Sequence, residues 1–132
     1  MTACGVWPSR RGLVAVLVDA NRRPALRALV REDSHEARWG LVQRLLAVGA
    51  ELVVDDVLLP ADPLPFIALR AGVTVWVASA PLLPSLRLAA AITRGPPRST
   101  AALLARLPSI PWLREHLRRL EAQDDPRQIP LF

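Results

Sequence analysis

Acidic residues at the ends of apolar runs are the first candidates for chemistry in this chain. Asp19 closes Leu13-Val14-Ala15-Val16-Leu17-Val18, Asp55 and Asp56 follow Leu52-Val53-Val54, and Glu115 lies within Trp112-Leu113-Arg114-Glu115-His116. Carboxylates that converge from separate elements can hold two divalent ions, which stabilise the attacking and leaving oxygens of a phosphodiester displacement. Each residue also has a plainer use. Asp19 reads as the organiser of the turn that follows it, a strand-end Asp55 or Asp56 can cap or turn the chain, and Glu115 is suited to pair along a helix with Arg118 or Arg119. His35 and His116 lack further ligands at metal spacing, so no metal site is expected from them.

Basic residues form a second group. All 17 are arginine, lysine is absent, and the net charge is +5. The guanidinium fork matches phosphate, which makes nucleic acid a reasonable partner, although a GC-rich coding sequence favours Arg, Ala, Leu and Pro whatever the protein does. Arg94, Arg98 and Ser99 flank Gly95 at an expected helix start. Backbone amides and the helix dipole favour a phosphate there, and a solvated loop is the alternative.

The length and composition bound the rest. A chain of 132 residues with 52% hydrophobic residues can bury the core of one domain. The single Cys4 forms no internal disulfide, no cationic and apolar leader opens the chain, and no apolar run approaches the roughly 20 residues that span a bilayer. A cytoplasmic protein is expected, with residues 1–122 as the domain and 123–132 as a flexible tail. The tail is polar from Glu121 to Arg127 and then ends in Gln128-Ile129-Pro130-Leu131-Phe132. Apolar side chains on a polar tether have no evident core to join.

The elements that must position these residues follow from periodicity and turn signals. Strands are predicted over Ala3 to Trp7, Leu13 to Asp19 and Ala25 to Arg31, with Asn21-Arg22-Arg23-Pro24 as a turn, giving an antiparallel meander. Asp33 or Ser34 caps a helix to about Val48, with Ala37, Leu41, Leu45 and Val48 on its apolar face and Gly49 as its stop. Glu51 to Leu59 is a strand buried on both faces, Pro63 to Ala71 a short helix, and Val73 to Ala78 a further parallel strand. Helices are predicted over Leu82 to Ile92, from the Ser99 cap to Leu107, and from Pro111 to Ala122. The order βββαβαβ followed by helices implies an α/β, ribonuclease H-like fold: a mixed five-stranded sheet, order 3-2-1-4-5, flanked by helices.

Within that order the residues resemble RuvC-type Holliday-junction resolvases. Gly5-Val6-Trp7-Pro8-Ser9-Arg10-Arg11-Gly12 is similar to the family's first strand and turn, whose pattern is Gly-hydrophobic-Asp-Pro-Gly. Leu52 to Leu59 is similar to its fourth strand, with Asp55 where the family carries a catalytic Glu. Ala80-Pro81 through Ile92-Thr93-Arg94-Gly95, then Arg98-Ser99 and Leu103-Leu104, resembles its glycine-rich turn and basic helix start. The resemblance covers most of residues 3 to 107, and RuvC-like domains of transposases fit nearly as well.

The resemblance implies metal-assisted phosphodiester hydrolysis, and the chain departs from what that needs. Trp7 stands where the family has its first-strand aspartate, and indole offers no lone pair to Mg²⁺. The last helix, around Glu115 and His116, is basic where the family carries ligands. Asp55, Asp56 and Glu115 are therefore expected as remnants of a site, with no cofactor, and Trp7 as filler of the vacated volume. The ending resembles the bacterial sliding-clamp-binding peptide: Gln128 would hydrogen-bond at one subsite while Leu131 and Phe132 fill an apolar pocket, with Ile129 and Pro130 between them. It resembles more faintly the acidic tip of single-strand-binding proteins. The expected function is a non-catalytic, nucleoid-associated module in DNA replication, repair or recombination. Its expected partners are the DNA polymerase sliding clamp and branched or double-stranded DNA, with dimerisation left open. The alternative is an active Mg²⁺-dependent, structure-selective endonuclease with a rearranged carboxylate site.

Overall fold

The computed structural model describes residues 2–18, 24–31, 34–95, 97 and 99–125, with the backbone alone for 24–31, 93 and 94. Three strands open the chain: β1 (Ala3–Ser9), β2 (Gly12–Val18) and β3 (Pro24–Arg31). They form an antiparallel meander in which Ser9 faces Gly12 across a two-residue turn. Gly12 takes φ 133° at that turn, a conformation that L side chains rarely adopt. The Ser9 hydroxyl donates to the Gly12 carbonyl at 2.9 Å and accepts from the Arg11 amide at 3.3 Å, which leaves Arg10 and Arg11 exposed at the tip.

Helix α1 (His35–Val48) begins where Ser34 accepts from the Ala37 amide and stops at Gly49, whose φ of 64° allows the left-handed cap. Its buried residues are Arg38, Leu41, Val42 and Leu45. Leu41 and Leu45 are where periodicity puts them. Val48 is exposed, because the turn it occupies lies at the helix end beyond the sheet contact, and Arg38 is buried in its stead. The guanidinium of Arg38 donates to both carboxylate oxygens of Asp62, the shortest contact being 2.6 Å, and to the Ser34 carbonyl. A bidentate pair with these extra bonds is what makes burial of two charges tolerable.

Strand β4 (Glu51–Asp55) runs parallel to β1, and β5 (Val75–Ala78) runs parallel to β4. Between them lie α2 (Leu58–Ala61) and α3 (Leu64–Arg70). The strand expected to reach Leu59 ends at Asp55, because the Asp55 carboxylate accepts the Leu58 amide at 3.0 Å and turns the chain into α2. Then α4 (Leu83–Arg94) and α5 (Thr100–Arg106) follow, the second capped by Ser99 as its sequence predicts.

The last predicted helix is not one helix. Pro111 to Arg114 forms the single turn α6, and Leu117–Arg119 forms β6, antiparallel to β5 with Leu117 beside Ala78. Leu113, Leu117 and Leu120 are spaced like a helical stripe, but Leu117 and Leu120 enter cores on opposite sides of the sheet. Alternate faces are available to a strand and closed to one helix stripe, and β6 also covers the open edge of β5. Arg118 consequently pairs with Asp124 at 2.9 Å, and not with Glu115 along a helix. The final order is β3-β2-β1-β4-β5-β6. Its first five strands, in their order and directions, have the ribonuclease H-like arrangement. No helix among the described residues is long and apolar enough to cross a membrane.

Helices cover both faces of this sheet. On one side α1 and α3 enclose Cys4, Val6, Leu52, Val54, Val75 and Val77. Burial pushes the Cys4 thiol up to about 12, so it is an inert core residue. On the other side α4 and α5 cover Ala3, Val53 and Ala78 together with Val16 and Val18. There α5 lies directly on the backbone of β1: a Cβ on Gly5 would come within 1.9 Å of the Ala101 carbonyl oxygen and 2.7 Å of the Ala105 nitrogen. Gly5→Ala should therefore lift α5 off the sheet and cost on the order of 3 kcal/mol, the upper range for overpacking. Urea unfolding checks it: an unchanged midpoint would show that the helix shifts freely.

Candidate functional site

The register of β1 against β4 decides what meets at the end of the sheet. Ala3, Cys4 and Gly5 lie beside Glu51, Leu52 and Val53. The pairing ends there: Trp7 lies two residues beyond Gly5 in β1, and Asp55 two residues beyond Val53 at the end of β4. Trp7 joins the cores on the α4 and α5 side, where Val53 also packs. Both residues thus lie near the carboxyl ends of the two central strands.

Both aspartates at the end of β4 accept a backbone amide. Asp55 is 3% exposed and its Oδ1 accepts the Leu58 amide. Desolvation pushes its carboxyl above the ordinary carboxylate range; the Leu58 amide opposes that shift and the neighbouring Asp56 charge adds to it. Asp56 is exposed and accepts the Ala80 amide at 3.0 Å, tying the end of β4 to the start of the α4 segment. Both residues have the capping role that their strand-end position allowed.

The remaining sequence candidates do not converge with them. Glu115 and His116 are exposed between α6 and β6, the strand beyond β5, while Asp55 lies on the other side of β5. Asp19, Arg98 and Gln128 to Phe132 lie outside the described residues, as does the side chain of Arg94. Ser99 spends its hydroxyl on the Ala102 amide at 3.1 Å. Among the described residues no group of three or more His, Cys, Asp or Glu is arranged to hold a metal ion. The donor set at Trp7 and Asp55 does not fit a pair of Mg²⁺ ions, because the indole has no ligand atom and a single buried carboxylate is too few donors for two cations.

Two cavities of about 360 Å³ open near this end, one on each side of the sheet. The first is bounded by Ser9, His35, Leu58 and the Arg38–Asp62 pair, whose charges neutralise each other. The second lies over Trp7, between α4 and α5, with Leu83, Pro84 and Leu103 as walls. Trp7 was expected to fill a vacated volume; it is half-buried and forms part of this cavity's wall. Arg87 reaches from α4 across to the Thr100 hydroxyl of α5 at 2.9 Å, so a cation stands at the same cavity.

Sequence reasoning passed over Arg38, Asp62, Arg87 and Thr100. The interruption of Leu86-Arg87-Leu88-Ala89 by one charge was the available signal for Arg87; nothing local announces that Arg38 finds Asp62, 24 residues away.

The capping role of Asp55 has a pH signature. A carboxyl whose folded value is raised binds its proton more readily in the folded state, so its contribution to stability falls as pH rises from the ordinary aspartate value of 3.8 through the raised value. Asp55→Asn keeps an oxygen acceptor for Leu58 and does not titrate. The stability difference between parent and Asp55→Asn should move in favour of the variant across that window, by denaturation at several pH values, and a pH-independent difference would contradict it. Asp55→Ala, which also deletes the cap, should be less stable than Asp55→Asn by about 1 kcal/mol. In comparison with known proteins, the chain matches no family model and no curated sequence.

Proposed function

We propose that this chain is a catalytically degenerate RuvC-like domain that acts by binding: it associates with DNA and is carried to the replication clamp by its terminal peptide. The observation that carries the non-catalytic part is that Asp55, at the end of β4, is buried and bonded to the Leu58 amide, while Trp7 near the end of β1 supplies no ligand atom. A nuclease of this fold would need metal-ligating oxygens at those two positions. The DNA part is supported by the net charge of +5 carried entirely on arginine and by the exposed Arg10-Arg11 tip, which extends from the same end of β1. The clamp part rests on Gln128 to Phe132, a polar anchor followed by an apolar pair behind a polar stretch.

Two measurements test the proposal. Immobilised sliding clamp should retain the intact protein and lose at least tenfold in affinity for a variant lacking residues 128–132; an intact protein that does not bind would refute recruitment. Incubation with a four-way junction and Mg²⁺ or Mn²⁺ should leave the DNA uncut. Cleavage that Asp55→Asn abolishes would instead establish an active nuclease with a rearranged site.

A further inference from the structure

The cavity over Trp7 lies where the resolvase resemblance would put a metal centre, yet its chemistry is different. Its walls are apolar, Leu83 and Pro84 on α4 and Leu103 on α5, and the indole of Trp7 adds a flat aromatic surface. One cation is present. Arg87 donates a hydrogen bond to Thr100, and no carboxylate pairs with it among the described residues. A guanidinium held by a neutral hydroxyl keeps its charge and several donors for an anion. An aromatic surface, apolar walls and one unneutralised arginine suit a ligand that is flat and apolar at one end and anionic at the other.

The size narrows the choice. At about 360 Å³ the cavity lies near the lower limit of small-ligand sites, roughly 300 Å³, so it accepts one nucleotide and not a base pair. The hairpin tip with Arg10 and Arg11 begins three residues after Trp7, so further cations stand beyond the mouth at the same end of the sheet. They would meet the phosphates on either side of a base seated in the cavity.

We infer that the cavity between α4 and α5 is a pocket for one unpaired base of DNA, stacked against Trp7 with its phosphate at Arg87. The inference rests on the DNA-binding reading above and adds to it a preference for DNA with unstacked bases. In this arrangement Trp7 has a binding role at the position where the family carries a metal ligand, and it discriminates by stacking, which every base permits, more than by hydrogen-bond readout.

The test compares a 12-nucleotide oligothymidine with an abasic oligonucleotide of equal length and charge, by fluorescence anisotropy. The intact protein should bind the base-bearing strand at least about fivefold more tightly, as stacking of one base predicts. Trp7→Leu should erase that ratio, Trp7→Phe should largely retain it, and Arg87→Gln should weaken binding of both strands. A 2-aminopurine within the oligonucleotide gives a readout that needs no variant: its emission should change on binding to the intact protein, through exchange of its neighbours for indole. Equal affinity for the two strands, a ratio unmoved by Trp7→Leu, or an unchanged emission in the bound state would overturn the base pocket while leaving DNA association standing. Failure to bind either strand or a duplex would overturn both.

Discussion

Helix α5 lies unusually close to a strand. Gly5 has no side chain, and α5 uses that gap to lie with Ala101, Ala102 and Ala105 against β1 and β2. Small residues on both surfaces bring the two backbones nearer than ordinary side chains would permit. That spacing fixes the height of α5 over the sheet, and α4 must then pack beside it through Leu83, Leu86 and Ala90. Trp7 follows two residues after Gly5 on the same face, where no glycine makes room, and its half-buried ring lines the cavity between α4 and α5.

Polar groups at the carboxyl ends of the strands follow a different constraint, which is to satisfy the backbone where strands give way to helices. Asp55 takes the Leu58 amide, Asp56 the Ala80 amide, and Asp62 the Leu64 amide as well as the Arg38 guanidinium. Asp55 and Asp56 do so where β4 ends, and Asp62 where α2 gives way to α3; each supplies an acceptor to an amide that opens a helical turn. Burial in addition makes Asp55 resist ionisation.

The first five strands were legible because their signals are local. The valine-rich apolar run Leu13 to Val18, the apolar run Leu52 to Val54, the Ser34 and Ser99 caps and the Gly49 stop each operate within a few residues, and each appears where its pattern puts it. Two readings failed for the same reason. The run through Asp55 to Leu59 continues apolar, and only the acceptance of an amide by Asp55 ends the strand; Leu113, Leu117 and Leu120 fit a helix, and only the open edge of β5 and the two cores on either side of the sheet make Leu117–Arg119 a strand. Arg38 is the same case in electrostatic form. An arginine at a buried position contradicts the helix pattern until Asp62 arrives from another segment.

By itself, then, the sequence determined the first five strands and their order along the chain, because side-chain periodicity, capping and residue identity are properties of short stretches. Tertiary structure alone decided that Asp55 is buried and bonded to the Leu58 amide, and that Arg87 meets Thr100 over an apolar cavity beside Trp7. Those facts depend on strand register and on the height of one helix above the sheet, which are set by contacts between residues dozens of positions apart and leave no trace in any single stretch of the chain.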